Sequence, residues 1–463
     1  MANTWISRAA TGSVTSDKTF TYSIWFKRGA SNGSNQYLWI HENASGHTQK
    51  IDLHLRNDDL MRMGFWNGSN EYNLDSKMLF RDTNAWYHIV FRFDTTQSTA
   101  SDRIRWYVNG EQIELTAIGG GSPTPQYPAQ NTTMNLGQKT LVHGRYQSSN
   151  PGSYWTGSMS HIHYCDGQSY APTEFGETDS TTGEWKIKTS PSVTYGNNGY
   201  FILKDGNSVT NQAGNSSGNF SVSGGTLTKT EDCPSNIFNT WNSLDDYYEA
   251  GTFYNGNTTY QTGTATGKYS RNTSTLGMTK GKFYWEVKPV SVNASIDFYP
   301  DIGITSTQVS AVSDYLGKQA SDYSIESDPS GTNRKRNNNT HSEWGTSFAL
   351  NDIVGVAVDL DNRKIYFSKN GVWMESGNPA SGSTGTGSAY TITAPADTPL
   401  GAYFPSVGNY DGTGYVKFDA NFGNGYFGTT AVASAGTNAS GNGIFEYDVP
   451  SGYTALSTKG LNL

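Results

Sequence analysis

The chain has 463 residues and a formal net charge of −8, long enough for two or three domains, each with its own core. Hydrophobic residues are only 35%, yet 52 Gly, 29 Tyr and 12 Trp stand among many Asn, Ser and Thr. That balance excludes a wholly disordered chain, which would be poor in aromatics, and describes short strands joined by polar loops.

The opening residues Met1 to Arg8 lack the basic region and apolar run of a secretory signal, so synthesis in a cytoplasm is expected. No run approaches the ~20 apolar residues of a membrane span. Cys165 and Cys233, the two cysteines, make no disulfide framework.

Period-2 patterning begins at Phe20, Tyr22, Ile24 and Phe26, with Thr21, Ser23 and Trp25 on the opposite side. A sandwich strand of this kind buries one face and wets the other. Tyr87, Ile89, Phe91 and Phe93 repeat the pattern, followed by Ile104 to Val108 and then Asn109-Gly110. Asn-Gly tolerates the positive φ angles of a tight hairpin. Residues 1–190 are read as the first domain. A bridging segment, 191–235, holds the apolar run Tyr200 to Leu203 and a Gly/Asn/Ser-rich stretch. Whether that run closes the first domain stays open.

The second domain is read as 236–463. Its strands include Lys282 to Val287, Asp301 to Ile304 and Tyr415 to Phe418. A second hairpin runs from Ile353 to Leu360 and from Lys364 to Ser368, then Asn370-Gly371. Thr305 to Ser347 and Ser376 to Ser388 read as long irregular loops. Arg334-Lys335-Arg336, the one basic cluster, reads as a solvated loop, so nucleic acid is not an expected partner. No heptad run is present to oligomerise the chain.

A glycosidase site would need paired carboxylates. Glu-x-Asp-x-x-Glu is absent, Asp359 and Asp361 cap a turn, and Glu174 and Glu177 lie in a Gly/Thr-rich loop. His161, His163 and Cys165 share a strand face, but same-face neighbours lie ~7 Å apart, long for one tetrahedral ion. They read as packed side chains, and the metal content stays unknown. What remains are aromatics among polar neighbours: Trp66, Tyr72, Tyr146 and Trp155 in the first domain, Trp344 and Tyr410 in the second. Such rings beside Asn and Asp suit sugar or peptide recognition.

Phe20 to Phe26, Trp86 to Asp94, Ile104 to Gln112 and Gly157 to Gly167 resemble a LamG-type, concanavalin-A-like jelly roll. Gly281 to Val287, Ile302 to Ile304, Asp352 to Leu360, Ile365 to Trp373 and Tyr403 to Val407 resemble a SPRY domain. Asp166 to Gln168, Phe175 to Asp179 and Gly183 to Trp185, with the join Asp232 to Asp245, resemble virion proteins of tailed bacteriophages, marine ones especially.

The fold expected is therefore all-β: two tandem antiparallel β-sandwich (jelly-roll) domains, concanavalin-A-like followed by SPRY-like. The resemblance implies a non-enzymatic virion structural protein, a tail-fibre or appendage adhesin that binds host-surface glycan or protein through its loops. The alternatives are a capsid decoration or head-fibre protein and, second, a polysaccharide depolymerase. Expected partners are other virion proteins, the host-surface ligand and further copies of the chain, with no membrane insertion. No cofactor is expected, although the resemblance leaves calcium as a candidate, with Asp52, Asp58, Asp59 and Asp75 as potential ligands. The expected location is the virion, assembled in the host cytoplasm.

Overall fold

The computed structural model describes residues 3–462 apart from 10–11, 32, 43–48, 118–124, 135–138, 147–151, 205, 246–249, 265–268, 294–297, 309–312 and 411–413. Two compact units divide it, 1–229 and 230–463.

In the first unit an eight-stranded sheet runs, in spatial order, Leu115–Thr116, Glu71–Leu79, Leu60–Trp66, Lys50–Leu55, Gln36–Glu42, Thr140–His143, Trp5–Ala9 and Ser221–Ser223. Facing it is a six-stranded sheet: Tyr200–Ile202, Gly157–Asp166, Thr19–Arg28, Trp86–Asp94, Ile104–Val108 and Glu111–Gln112. Phe20, Tyr22, Ile24 and Phe26 enter the core with Tyr87, Ile89, Phe91 and Phe93, as their alternation predicts. Side chains from both inner faces interdigitate; Tyr22 stacks on Trp39 at 4.4 Å between ring centroids.

The second face of that six-stranded sheet departs from expectation, because it is not wet. Thr21, Ser23 and Trp25 are buried beneath residues from the 168–199 segment. Thr21 Oγ1 donates to the Gln168 carbonyl and accepts from the Tyr170 N–H, both at 2.8 Å. The bridging segment also has a place. Tyr200–Ile202 pairs antiparallel with Gly157–Asp166, and Ser221–Ser223 pairs with Trp5–Ala9, so the apolar run closes the first unit.

The second unit repeats the two-layer plan. One sheet runs Thr252–Tyr254, Thr259–Gln261, Val416–Asn421, Lys282–Val292, Val354–Asp359, Lys364–Lys369 and Val372–Trp373, with Tyr390–Thr391 and Thr454–Ala455 added at its margins. The other runs Ser270–Thr273, Phe404–Asn409, Pro300–Thr305, Asp322–Ser327, Asn333–Asn337 and Thr340–Glu343. Between them lie Trp285, Ile302, Ile304, Ile325, Val356, Val358 and Phe418. Asn109 and Asn370 take positive φ in the two hairpin turns, and each side-chain oxygen accepts a backbone N–H, from His88 and Ile353.

Thr305 to Ser347 is not irregular, since it contains Asp322–Ser327, Asn333–Asn337 and Thr340–Glu343. Arg334-Lys335-Arg336 is not a solvated loop: it lies in a strand, and Arg336 is buried. In both cases the charged outward residues are neutralised by partners across the sheet, so their polarity does not mark exposure.

Candidate functional site

Alternation in Lys50–Leu55 sends Ile51, Leu53 and Leu55 into the core and Lys50, Asp52 and His54 to the other face. Cross-strand register then assembles rows on that outward face. Tyr37 lies opposite His54, His54 opposite Arg62 and Arg62 opposite Asp75. Lys50 lies opposite Trp66, and Asp52 opposite Gly64. A Cβ on Gly64 would come within 2.9 Å of the Asp52 carboxylate, so glycine leaves the space that this carboxylate occupies.

The face is tightly linked. His54 Nδ1 meets Asp52 Oδ1 at 2.7 Å, and Lys50 Nζ meets Oδ2 at 3.3 Å. Burial pushes the Asp52 carboxyl up, but His54 and Lys50 outweigh it and hold the group below its ordinary value. The Tyr37 ring stacks on His54 at 4.3 Å and meets Tyr146 at 4.6 Å. Lys50 Nζ stands 5.3 Å from the Tyr146 ring. Trp66 and Tyr146, picked from the sequence as separate candidates, therefore flank one lysine.

The four aspartates considered for calcium do not form a cage. Asp52 is held by Lys50 and His54, Asp58 by Arg56, Asp59 by Arg28 and Arg81, and Asp75 by Arg56 and Arg62. Among the described residues no group of three or more His, Cys, Asp and Glu side chains is placed to hold a metal ion.

In the second unit, Asp301 lies opposite Glu326 and Glu326 opposite Arg334. Arg271 pairs with Asp322 at 2.9 Å, both side chains fully buried. Arg336 Nη2 donates to Glu326 Oε1 at 2.8 Å. Asp301 is fully buried, and neither carboxylate oxygen has a hydrogen-bond partner among the described residues. Burial, then the negative charge of Glu326, push its carboxyl well above the ordinary range, while Arg336 opposes them.

Tyrosines gather over this charged floor. Tyr410 stacks on Tyr269 at 5.1 Å, meets Tyr315 edge-on at 4.7 Å and approaches Tyr299 at 6.4 Å. The Arg336 guanidinium carbon lies 3.9 Å from the Tyr410 ring centroid. Three of the four rings, Tyr269, Tyr299 and Tyr410, are partly exposed, while Tyr315 is buried.

Residues 2–167 match the family described as the concanavalin A-like lectin/glucanases superfamily, and residues 246–415 match the SPRY domain family. The chain carries a concanavalin-A-like domain followed by a SPRY domain. Among curated proteins no relative matches it. Solved structures similar to single domains include the SPRY domain of human HERC1, at 18% identity over 39% of this chain and 96% of that one, with a TM-score of 0.29. A heptameric SAP-like pentraxin from Limulus polyphemus is 13% identical over 36% and 71%, TM-score 0.26. The CBM40 of a Ruminococcus gnavus IT-sialidase, solved with alpha2,3 sialyllactose, is 15% identical over 36% and 90%, TM-score 0.26.

Within the concanavalin-A-like domain the other two candidates lie elsewhere. Tyr72 packs against the core and stacks on Phe65 at 5.6 Å, and Trp155 meets Phe26 edge-on at 5.5 Å. In the SPRY domain, Trp344 packs against the core beside Phe367 at 6.2 Å, away from the tyrosine cluster of Tyr410. Sequence reasoning missed Tyr37, Lys50, His54 and Arg62 on one face and Tyr269, Tyr299, Tyr315 and Arg336 on the other. The first set was detectable, because Lys50, Asp52 and His54 alternate with core residues. The second was not, since its members come from well-separated strands and loops.

The carboxylates that remained as catalytic candidates do not converge. Glu174 ends a 3-10 turn, and the exposed Glu177 faces Lys186 at 3.4 Å. Asp359 and Asp361 accept backbone N–H groups from Asn362 and Gly281, as turn caps do.

Proposed function

We propose that this chain is a non-enzymatic structural component of a tailed-phage particle that binds host-surface glycan or protein. The observation that carries the binding role is the partly exposed tyrosine cluster of Tyr269, Tyr299 and Tyr410 over Arg336. It brings partly exposed aromatic rings together over a buried charged floor, the kind of surface that stacks on a sugar or peptide. The aromatic and charged face of Tyr37, Lys50, Tyr146 and Trp66 supplies a second surface of the same character. Fold alone does not assign function, and domains of both kinds typically bind rather than catalyse.

The virion setting rests on the resemblance of residues 166–185 and 232–245 to phage virion proteins. Copies of the chain in one particle would turn modest single-site affinity into avidity. Antibody labelling of purified particles tests this setting. Label on tail appendages is the expected result. Label at lattice spacing over the head would favour the decoration or head-fibre alternative, and particles without the chain would refute the proposal.

A further inference from the structure

The concanavalin-A-like family match ends at residue 167, and the residues that follow cover the second face of the six-stranded sheet. The cover is tethered at both ends. Tyr170 N–H donates to Thr21 Oγ1, Arg92 bonds Ser169 Oγ, and Asp166 N–H donates to the Tyr195 carbonyl. Its middle is a hairpin, Gly176–Thr178 with Trp185–Ile187, whose strands pair only with each other. Among the described residues, side chains alone therefore fasten that hairpin to the sheet. Phe175 packs with Val90 and Cys165, and the Trp185 indole lies against Gly110 and Gly176, where a Cβ would come within 2.6 and 2.5 Å of the ring.

The Trp185 indole N–H donates to His88 Nδ1 at 2.9 Å. An indole nitrogen can only donate, so Nδ1 accepts and the ring hydrogen sits on Nε2, 2.8 Å from Ser23 Oγ. Protonation would place a second hydrogen on Nδ1, directly against the indole N–H. A bond would become two opposed donors, with the His88 ring fully buried. We propose that the Trp185–His88 contact is a proton-operated latch: protonation of His88 releases the Trp185 hairpin and uncovers the sheet face beneath it.

The surroundings agree. Burial holds the His88 ring down, to about 3, and His161 from the neighbouring Gly157–Asp166 strand opposes its protonation further. His163 in that strand is also held well below the ordinary value by burial, then by His161 and His88; its Nδ1 lies 2.9 Å from the Tyr195 hydroxyl. The other titratable groups facing outward on the strands and cover of this sheet are Lys27, Arg92, Asp94, Arg105, Tyr107, Cys165, Tyr170 and Tyr195. Lys186 on the hairpin is exposed and pairs with Glu177 and Asp179. The folded form prefers neutral rings, so the closed state is most stable above the unfolded value of 6.5 and weakens as pH falls through it toward about 3. Each pH unit in that window shifts the closed-to-open ratio up to ~10-fold per histidine.

Hydrogen–deuterium exchange on the full chain, corrected for intrinsic rates, tests the latch between about pH 7.5 and about pH 4.5. Residues 176–188 should lose protection on acidification, by up to ~100-fold for His88 alone, while the core strands Thr19–Arg28 and Trp86–Asp94 stay protected. His88→Gln keeps an acceptor for Trp185 and a donor for Ser23 but cannot titrate, so its hairpin should stay closed in acid. Trp185→Phe lacks the donor and should open already at neutral pH, with a flatter acid response. Unchanged protection of residues 176–188 in the parent chain would overturn the proposal. So would an equal acid response in His88→Gln, or, if that variant fails to fold, an acid response in Trp185→Phe equal to the parent's.

Discussion

The Tyr410 ring covers the guanidinium of Arg336, 3.9 Å from ring centroid to guanidinium carbon, while Arg336 bonds Glu326 from the same buried position. A partly exposed aromatic thus rests on a buried ion pair. The two residues have separable duties, because a ligand can reach the ring but not the charge beneath it.

Removing the ring should therefore affect binding, and removing the charge should affect folding. Tyr410→Ala is expected to weaken binding by about ten-fold, since a single aromatic contact contributes about 1–2 kcal/mol, with little change in thermal midpoint. Arg336→Met removes the buried cation of Glu326 and leaves it only the part-exposed Arg334 at 3.3 Å, so it should destabilise the SPRY domain by about 2–4 kcal/mol. Parallel calorimetry and binding titrations would separate the two outcomes. A Tyr410→Ala chain that melts as early as Arg336→Met would deny the division of roles.

Acid and base should act oppositely on the two domains. Glu286 is buried and accepts the N–H groups of Glu446 and Tyr447 at 2.9 Å, the Tyr284 hydroxyl and the Asn421 amide. Burial dominates over these donors and pushes its carboxyl from 4.5 up to about 7. A folded-state value above the unfolded one means that stability is full below 4.5 and falls as pH rises toward about 7. The loss reaches about 3 kcal/mol, and Asp301 adds in the same direction. Scanning calorimetry should show the SPRY transition falling between pH 4.5 and 7, less steeply in Glu286→Gln. A transition that climbs over that interval would contradict this assignment.

Trp66→Ala should leave the concanavalin-A-like core intact, because Trp66 lies on the outward face beside Lys50 rather than in the core. Its midpoint should stay within about 0.5 kcal/mol of the parent, while glycan binding by that face drops several-fold. Equal binding by the parent and Trp66→Ala would assign the ligand to the SPRY face alone.

The chain should release no reducing ends from host polysaccharide. Release that disappears in the Glu174→Gln, Glu177→Gln double variant would restore the depolymerase reading.

Much of the fold was legible because a strand with one core face carries a period-2 signal, as Phe20 to Phe26 and Val356 to Val358 do. The signal failed where the other face was also buried. Thr21 and Ser23 looked wet, yet they are hydrogen-bonded to Gln168, Tyr170 and His88. The strand Asp322–Ser327 alternates too, but Asp322, Ser324 and Glu326 are buried in a polar network, and charge read alone suggested a loop. The binding faces were legible one residue at a time. Tyr410 was identifiable as an aromatic among polar neighbours, but Tyr269 and Tyr315 reach it only through sheet register and loop closure, which no local pattern encodes.

Binding of the full chain to intact host cells and to protein-stripped surface polysaccharide tests the central claim most directly. Saturable binding that free polysaccharide competes away, and that Tyr410→Ala or Trp66→Ala weakens, is the predicted result. A parent chain that binds neither cells nor polysaccharide at concentrations well above micromolar would contradict a receptor-binding role.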